Sequence, residues 1–105
     1  MASYSDVELK VIEWAQARKI IPNSTPRAQL LKTCEEFGEL AGGEARNDMA
    51  RIKDGVGDVL VTLIIYCALR DINLVDCIYG AYDEIKNRKG TLRPDGVFVK
   101  EADGG

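Results

Sequence analysis

Apolar residues recur at three- and four-residue intervals in four stretches of the chain, which is the spacing of amphipathic α-helices. The first predicted helix begins at Ser5, where S-D-V-E forms a capping box with Glu8. Residues 20–25 are predicted to be a connector. Thr25 and Pro26 then supply the cap and the first residue of a second helix, which extends to about residue 44.

Two further helices complete this pattern. The glycines and polar residues of GGEARND predict a break near residue 47, so the third helix extends from about residue 48 to about residue 70. The fourth begins at Asn73 and ends in KNRK, with Gly90 as its C-cap. A Pro-Asp-Gly turn and a short extended VFV follow, and the end of the tail is expected to fray. We therefore predict an all-α fold, with a four-helix domain at residues 1–90 and a tail at residues 91–105.

The segment VLVTLIIYCAL, residues 59–69, is apolar around nearly its whole circumference. It is shorter than the roughly 18 apolar residues that a membrane span needs, so it is predicted to be a helix buried on all sides. Three other short helices can hardly cover every face of it. We therefore expect a homodimer or homotetramer whose interface includes part of this segment.

The second and third predicted helices carry five acidic residues near their facing surfaces: Glu35, Glu36, Glu39, Asp54 and Asp58. A short connection makes these helices an antiparallel hairpin. If the turn centres near residue 47, Glu36 lies level with Asp58, and Glu39 lies level with residues 54 and 55. Spacings of three and four residues also place the acids of each helix on one face.

Two explanations of this acidic group compete. Acidic runs on helices are usually solvated faces, and three glutamates alone favour that explanation. However, Asp58 directly precedes the most apolar stretch of the chain, and the only nearby bases are Lys32, Arg51 and Lys53. Clustered carboxylates repel one another and raise each other's pKa values, and a divalent cation removes that cost. Oxygen ligands without histidine or cysteine favour Mg²⁺ or Mn²⁺.

Composition excludes several classes of function. The 105 residues carry a net charge of −3 and no basic run, which argues against binding to a nucleic acid polymer. The absence of histidine excludes His-ligated zinc and His-based acid–base catalysis. Cys34, Cys67 and Cys77 are expected to be reduced thiols in the core of a cytoplasmic protein that contacts no membrane.

Other residues have both a structural and a functional interpretation. Lys86, Asn87, Arg88 and Lys89 either complement a helix C-terminus or bind phosphates. Trp14 either packs in the core or stacks on a nucleobase. Glycines at positions 38, 55 and 57 allow close helix packing or leave room for a ligand.

The motifs EEFGEL (residues 35–40) and DGVGDVL (residues 54–60) together resemble those of the MazG-like nucleoside triphosphate pyrophosphohydrolases. The resemblance covers about residues 5–90, including KNRKG, and the tail DGVFVKE is similar to that of phage-borne members. It implies a four-helix MazG-like bundle. It also implies cleavage of a ribo- or deoxynucleoside triphosphate between its α- and β-phosphates, to the monophosphate and pyrophosphate, in the host cytoplasm if the chain is phage-encoded.

The resemblance also implies roles for individual residues. Two or three ions would be held by Glu35, Glu36, Glu39 and Asp58, and Glu35 would orient or deprotonate the attacking water. Lys86, Asn87 and Lys89 would hold phosphate oxygens, and Trp14 would border the base. The family usually has an acid three residues before the aspartate of the second motif, where this chain has Gly55. Asp54 is therefore a direct ligand, a supporting group or neither.

The resemblance leaves the substrate open. The phage-like pattern is similar to that of the MazZ branch. This similarity favours (d)GTP as the substrate. The first alternative is a pyrophosphatase of the same fold acting on pyrimidine deoxynucleotides, dUTP or dCTP. The second is a non-catalytic helical oligomer that binds metal or a basic partner.

Overall fold

The computed structural model describes residues 2–101, which are mostly helical and include one small sheet. The chain divides into two compact units, Met1–Leu74 and Val75–Gly105. The elements of the described chain, in order, are α1 (Tyr4–Ala17), α2 (Ile20–Asn23), α3 (Pro26–Ala45), α4 (Met49–Leu69), α5 (Leu74–Ile85), β1 (Gly90–Leu92) and β2 (Phe98–Lys100).

Two of the predicted helix starts are confirmed. The Thr25 hydroxyl accepts a hydrogen bond of 3.1 Å from the backbone N–H of Ala28 and caps α3. Asp48 caps α4 by accepting from the N–H of Arg51 at 3.2 Å. Each cap satisfies one of the N–H groups that a helix start leaves without a partner.

The prediction that α1 begins with Ser5 as its cap is wrong. The cap is Ser3, whose hydroxyl accepts from the N–H of Asp6 at 3.2 Å, and Ser5 lies inside the helix. Ser3 precedes Asp6 by three positions, as Ser5 precedes Glu8, so the sequence offers two overlapping helix starts. The predicted connector at residues 20–25 also contains the short helix α2.

The predicted end of the last helix is also wrong. Helix α5 begins at Leu74, directly after the predicted start at Asn73, but ends at Ile85. Gly90 is the first residue of β1, not a helix cap, and pairs with Lys100 in an antiparallel hairpin. A side chain at position 90 would collide with the carbonyl of Val99, so this close approach requires glycine. The extended tail segment is confirmed as β2, but the sequence did not predict its pairing with β1.

Helices α3 and α4 form the predicted antiparallel hairpin within the first unit. Thr33 and Thr62 are hydrogen-bonded at 2.8 Å between their hydroxyl oxygens, and both side chains are buried. Gly55 lies against Leu40, where an added methyl group would be 2.9 Å from the Leu40 Cα atom. These contacts give a register offset by one residue from the predicted one. Glu36 therefore lies level with Val59, the neighbour of Asp58.

The core of the first unit forms around α4. Val59, Ile64 and Ile65 are buried, as is Ala15 of α1. However, Leu60 is 41% exposed in the single chain. The prediction that residues 59–69 are buried on all sides includes an interface with a second copy, so it stays a prediction. Helices α1 and α3 pack against α4 from two directions and leave a third direction uncovered. Within residues 2–101, no helix is long and apolar enough to cross a membrane.

The three cysteines differ in burial, and burial also changes the acidity of Tyr4. Cys67 is buried, but Cys34 and Cys77 are exposed, so the expectation that all three lie in the core is wrong for two of them. Burial, followed by the 2.9 Å hydrogen bond that its hydroxyl donates to Glu8, raises the pKa of Tyr4 to about 12.

Candidate active site

A cleft of about 440 Å³ lies between α1, α3 and α4 in the first unit. Glu36 enters it from α3 and Asp58 from α4, so the structure brings together one acid from each predicted motif. Lys32 also lines the cleft, and uncharged residues complete the lining, among them Trp14, Gln29, Val61, Thr62 and Ile65. The site thus has an acidic centre with an aromatic side chain at its border.

The five predicted acids differ in their degree of enclosure. Glu36 is the most enclosed of the three glutamates, with its side chain 16% exposed, compared with 62% for Glu35 and 57% for Glu39. Glu39 follows Glu36 by three residues and Asp54 precedes Asp58 by four, so helix geometry places each pair on one face. The cleft itself is not lined by Glu35, Glu39 or Asp54.

Two bases compensate the glutamates of α3. The Lys32 ammonium lies 3.3 Å from a Glu35 carboxylate oxygen and 3.5 Å from one of Glu36. The hydrogen bond to Glu35, followed by the charges of both carboxylates, raises the pKa of Lys32. Arg51 of α4 lies 3.7 Å from Glu39. Both bases are among the three that the sequence analysis named as nearby, and helix spacing and hairpin register bring one of them to each glutamate.

The type of donor in the cleft, carboxylate oxygen, is the type that a hard divalent cation takes. Within residues 2–101, no three acidic or thiol side chains lie close enough together to hold a metal. However, Glu36 and Asp58 present carboxylate oxygens to one cleft, and Lys32 and Arg51 already supply positive charge beside the glutamates. Carboxylate-only ligation suits Mg²⁺ or Mn²⁺. The fit rests on this chemistry of oxygen donors and on their shared cleft.

A second cleft of about 420 Å³ adjoins the first. Trp14, Asp58 and Val61 line both clefts, so the acidic centre lies where they meet. The second cleft is otherwise apolar except for Lys10. Trp14 is 45% exposed, and the Arg18 guanidinium lies 4.6 Å from the centre of its ring. Trp14 is therefore a wall of the site, with part of its surface open, and not a core residue.

The predicted phosphate-binding residues lie beyond the end of α5. Lys86 forms an ion pair of 3.0 Å with Asp83, and the carbonyl of Lys89 accepts a hydrogen bond from Glu101. Lys86, Asn87 and Lys89 are exposed. All three belong to the second unit, whereas both clefts are built by residues of the first.

Sequence reasoning missed three lysine or glutamine side chains that line the clefts: Lys10, Gln29 and Lys32. A signal was present for two of them, because Gln29 and Lys32 precede Glu36 by seven and four residues and so share its helical face. Lys10 carried no such signal, because its position depends on how α1 packs against α4.

Comparisons with known proteins agree with the motifs. A sequence model of the MazG nucleotide pyrophosphohydrolase domain matches residues 24–92. A protein of Haemophilus phage HP1, described as an uncharacterized 18.2 kDa protein in the rep-hol intergenic region, is 37% identical over 75 residues. That alignment covers 71% of this chain and 46% of the phage protein, so the chain spans about half the length of this relative.

A solved structure shares the fold. It is described as the cyanophage S-2L MazG-like pyrophosphohydrolase bound to dGDP and three catalytic Mn²⁺ ions per active site. The match has a TM-score of 0.70 and covers 97% of this chain and 100% of the cyanophage chain. Sequence identity is 19%, so this similarity is evidence of a common fold.

Proposed function

The chain belongs to the MazG nucleotide pyrophosphohydrolase family, and from that premise we propose that it hydrolyses a nucleoside triphosphate between the α- and β-phosphates. The products are a nucleoside monophosphate and pyrophosphate. The observation that supports this most strongly is the meeting of Glu36 and Asp58 in one cleft bordered by Trp14. A triphosphate needs cations to offset its charge, and carboxylates such as Glu36 and Asp58 would bind them as metal ions. A nucleobase needs an aromatic or apolar surface, which Trp14 supplies beside the carboxylates.

Glu36 and Asp58, with Glu35 and Glu39, would hold two or three Mg²⁺ or Mn²⁺ ions, and Asp54 would hold one directly or support a ligand. Such ions, when bound, offset the charge of the triphosphate and lower the pKa of a water molecule. Asp54 lies one helical turn before Asp58, on the same face of α4.

The chain's own residues have separate tasks in this proposal. Glu35 orients the attacking water and takes its proton as the water oxygen bonds to the α-phosphorus. The bond from the α-phosphorus to the bridging oxygen breaks, and pyrophosphate leaves with the electron pair. Lys86, Asn87 and Lys89 bind its oxygens and stabilise the developing charge.

Lys32 has a further task in this scheme. Its pKa is raised, so it remains an ammonium group beside Glu35 and Glu36. If the carboxylates turn towards metal ions, that ammonium group becomes available to a phosphate oxygen. Lysine is a common phosphate ligand because its flexible stem carries a compact charge.

For the base we propose guanine, with (d)GTP as the substrate. Among the described residues that line the cleft of Trp14 and Val11, the charged ones are Lys10 and Asp58. Its ammonium group donates hydrogen bonds and accepts none, so it favours a carbonyl oxygen on the base over an amino group. The cyanophage enzyme with the same fold is described with dGDP bound. A uracil base, which also has carbonyl oxygens, is the nearest competitor.

A panel of the four ribo- and four deoxynucleoside triphosphates, each supplied with Mn²⁺, tests this proposal by pyrophosphate release. We expect the highest kcat/KM for dGTP or GTP, and equal amounts of monophosphate and pyrophosphate. A preference for dUTP or dCTP would support the pyrimidine alternative instead. No release above the background of a Glu36→Gln variant on any nucleotide would indicate the non-catalytic, metal-binding alternative.

A further inference from the structure

Two buried threonines join α3 to α4 at the acidic cleft. Thr33 of α3 and Thr62 of α4 are 7% and 8% exposed, and their hydroxyl oxygens are 2.8 Å apart. Thr62 also lines the cleft that Glu36 and Asp58 enter. Threonine is mostly an exposed residue in folded proteins, so two buried hydroxyls that face each other are a specific feature of this hairpin.

The threonine pair lies about one helical turn from both acids of the cleft. Thr33 precedes Glu36 by three residues, so the two share a face of α3. Thr62 follows Asp58 by four residues, so these two share a face of α4. The separations along the helix axes are roughly 4.5 Å and 6 Å. A shift of the two helices at the threonine pair would therefore move the two carboxylates relative to each other.

A second point of contact lies on the other side of the acids. Gly55 precedes Asp58 by three residues, and Leu40 follows Glu36 by four. A methyl group added at Gly55 would be 2.9 Å from the Leu40 Cα atom, so the two backbones are close there. Such packing determines how near the helices approach, but apolar contacts have no preferred direction. The threonine hydrogen bond adds a preferred distance and direction to the same hairpin.

Neither hydroxyl needs the other as a hydrogen-bond partner. The Thr33 hydroxyl lies 3.0 Å from the Gln29 carbonyl oxygen. The Thr62 hydroxyl lies 2.8 Å from the Val59 carbonyl oxygen. Each threonine can therefore donate to its own helix, and replacing both by apolar groups of the same shape should be nearly neutral for stability. The hydrogen bond between the helices thus has its main effect on their alignment.

We propose that Thr33 and Thr62 are positioning residues that fix the relative position of Glu36 and Asp58, and with it the affinity of the cleft for a divalent metal ion. This inference rests on the proposed function, in which these acids hold Mg²⁺ or Mn²⁺. Metal ligands must be held within about 0.5 Å of their productive positions by the packing and hydrogen bonds around them. Loss of groups that orient metal ligands without touching the metal typically weakens metal binding by about 10- to 100-fold.

Two double variants separate positioning from stability. Thr33→Val/Thr62→Val removes both hydroxyls and keeps the shape of the side chains. Thr33→Ser/Thr62→Ser keeps both hydroxyls and removes two buried methyl groups. We expect the valine variant to unfold within about 0.5 M of the wild-type urea midpoint but to bind Mn²⁺ at least about tenfold more weakly. The serine variant should unfold at a lower urea concentration and bind Mn²⁺ within about threefold of the wild-type affinity.

Two measurements compare these variants. Isothermal titration calorimetry gives the Mn²⁺ dissociation constant without nucleotide. Steady-state kinetics at saturating Mn²⁺ should show kcat reduced at least about tenfold in the valine variant, with KM changed by less than about threefold. Ile64→Val is the matched control, because Ile64 is buried in α4 and lines neither cleft. It should lower the urea midpoint without changing the affinity for Mn²⁺.

The single variant Thr33→Val covers the case in which the double valine variant fails to fold. It leaves the Thr62 hydroxyl with the Val59 carbonyl as its acceptor and should also weaken Mn²⁺ binding. Unchanged Mn²⁺ affinity in the valine variants would overturn the proposal. An equal loss of affinity in the serine variant, or a wild type that binds no Mn²⁺, would do the same.

The same data distinguish failure of this inference from failure of the proposed function. If the wild type releases no pyrophosphate from any nucleotide, the proposed function is wrong. Weaker Mn²⁺ binding by the valine variants, with binding retained by the serine variant, would in that case still support Thr33 and Thr62 as positioning residues of a metal site.

Discussion

At the scale of single residues, Glu36 and Asp58 differ from the other acids because they open into one cleft. Glu36 is far more enclosed than Glu35 or Glu39, although the three are equivalent in the sequence motif. Hairpin packing makes this distinction, because Glu36 alone of these three glutamates lines the cleft with Asp58. We therefore expect Glu36 and Asp58 to be the least replaceable residues of the proposed site.

Asp58→Asn and Glu36→Gln should each reduce kcat by about 100-fold or more, since each removes a negative charge from the centre of the cleft. Stability should change by less than about 1 kcal/mol, because the Lys32–Glu36 pair is partly solvent-exposed and Asp58 has no ion pair among those of the described chain. Steady-state kinetics and urea unfolding measure the two effects. Glu13→Gln, on α1 outside the clefts, is the matched control.

Retention of wild-type kcat in both variants, within a factor of about five, would remove Glu36 and Asp58 from the site. A variant that loses activity together with its helical circular dichroism signal would show a structural role instead.

At the scale of elements, the α3–α4 hairpin sets the position of every acid in the site. Its register is held by the buried Thr33–Thr62 hydrogen bond and by the close contact of Gly55 with Leu40. At position 55, where the resemblance to the family implies an acid, this chain has a glycine and close helix packing. Of the three glycines that the sequence left open between packing and ligand space, Gly55 serves packing. Gly38 and Gly57 face open space.

Gly55→Ala should destabilise the protein by about 1–3 kcal/mol, because the added methyl group would lie 2.9 Å from backbone and side-chain atoms of Leu40. Gly57→Ala, two residues away on the same helix, meets nothing within 4 Å and should stabilise by up to about 1 kcal/mol through helix propensity. Urea unfolding without nucleotide compares the two. Equal effects of the two substitutions would contradict the close contact at Gly55.

At the scale of the whole molecule, the chain carries carboxylates that attract a cation on one side of the hairpin and an uncovered apolar surface on the other. Binding of a cation to the carboxylates, or burial of the apolar surface by a ligand or another protein, would each lower the free energy of the folded state. Binding of a ligand to the folded state alone adds stability that grows with ligand concentration. Metal binding should therefore appear in the thermal stability as well as in the activity.

Removal of divalent ions with EDTA should abolish pyrophosphate release, and Mn²⁺ or Mg²⁺ should restore it. At a metal concentration about 100-fold above the dissociation constant, the gain is about 2.7 kcal/mol, or a rise in Tm of roughly 10 °C. Differential scanning calorimetry with and without Mn²⁺ measures the rise. Asp58→Asn should lose most of it, and full activity in EDTA would contradict a metal-dependent reaction.

The sequence by itself determined the four longer helices, the antiparallel hairpin and the identity of the acids. Periodicity and capping residues are local, so Thr25 was identified as a cap and the start of α4 was predicted near residue 48 without any tertiary information. The register was predicted to within one residue, because a short turn leaves an antiparallel hairpin little freedom. The family resemblance rests on the same motifs, and the match over residues 24–92 confirms it.

Tertiary structure alone decided which acids meet, which bases compensate them and which apolar residues remain outside. Lys10 enters the site only because α1 packs against α4, and Leu60 remains exposed because α1 and α3 cover other sides of its helix. Helical periodicity gives the direction in which a side chain points from the axis of its helix. It does not say which residues of another helix or strand pack in that direction. For that physical reason, the acidic motifs could be found in the sequence, whereas the cleft and the exposed apolar side chains could be identified only from the packed helices.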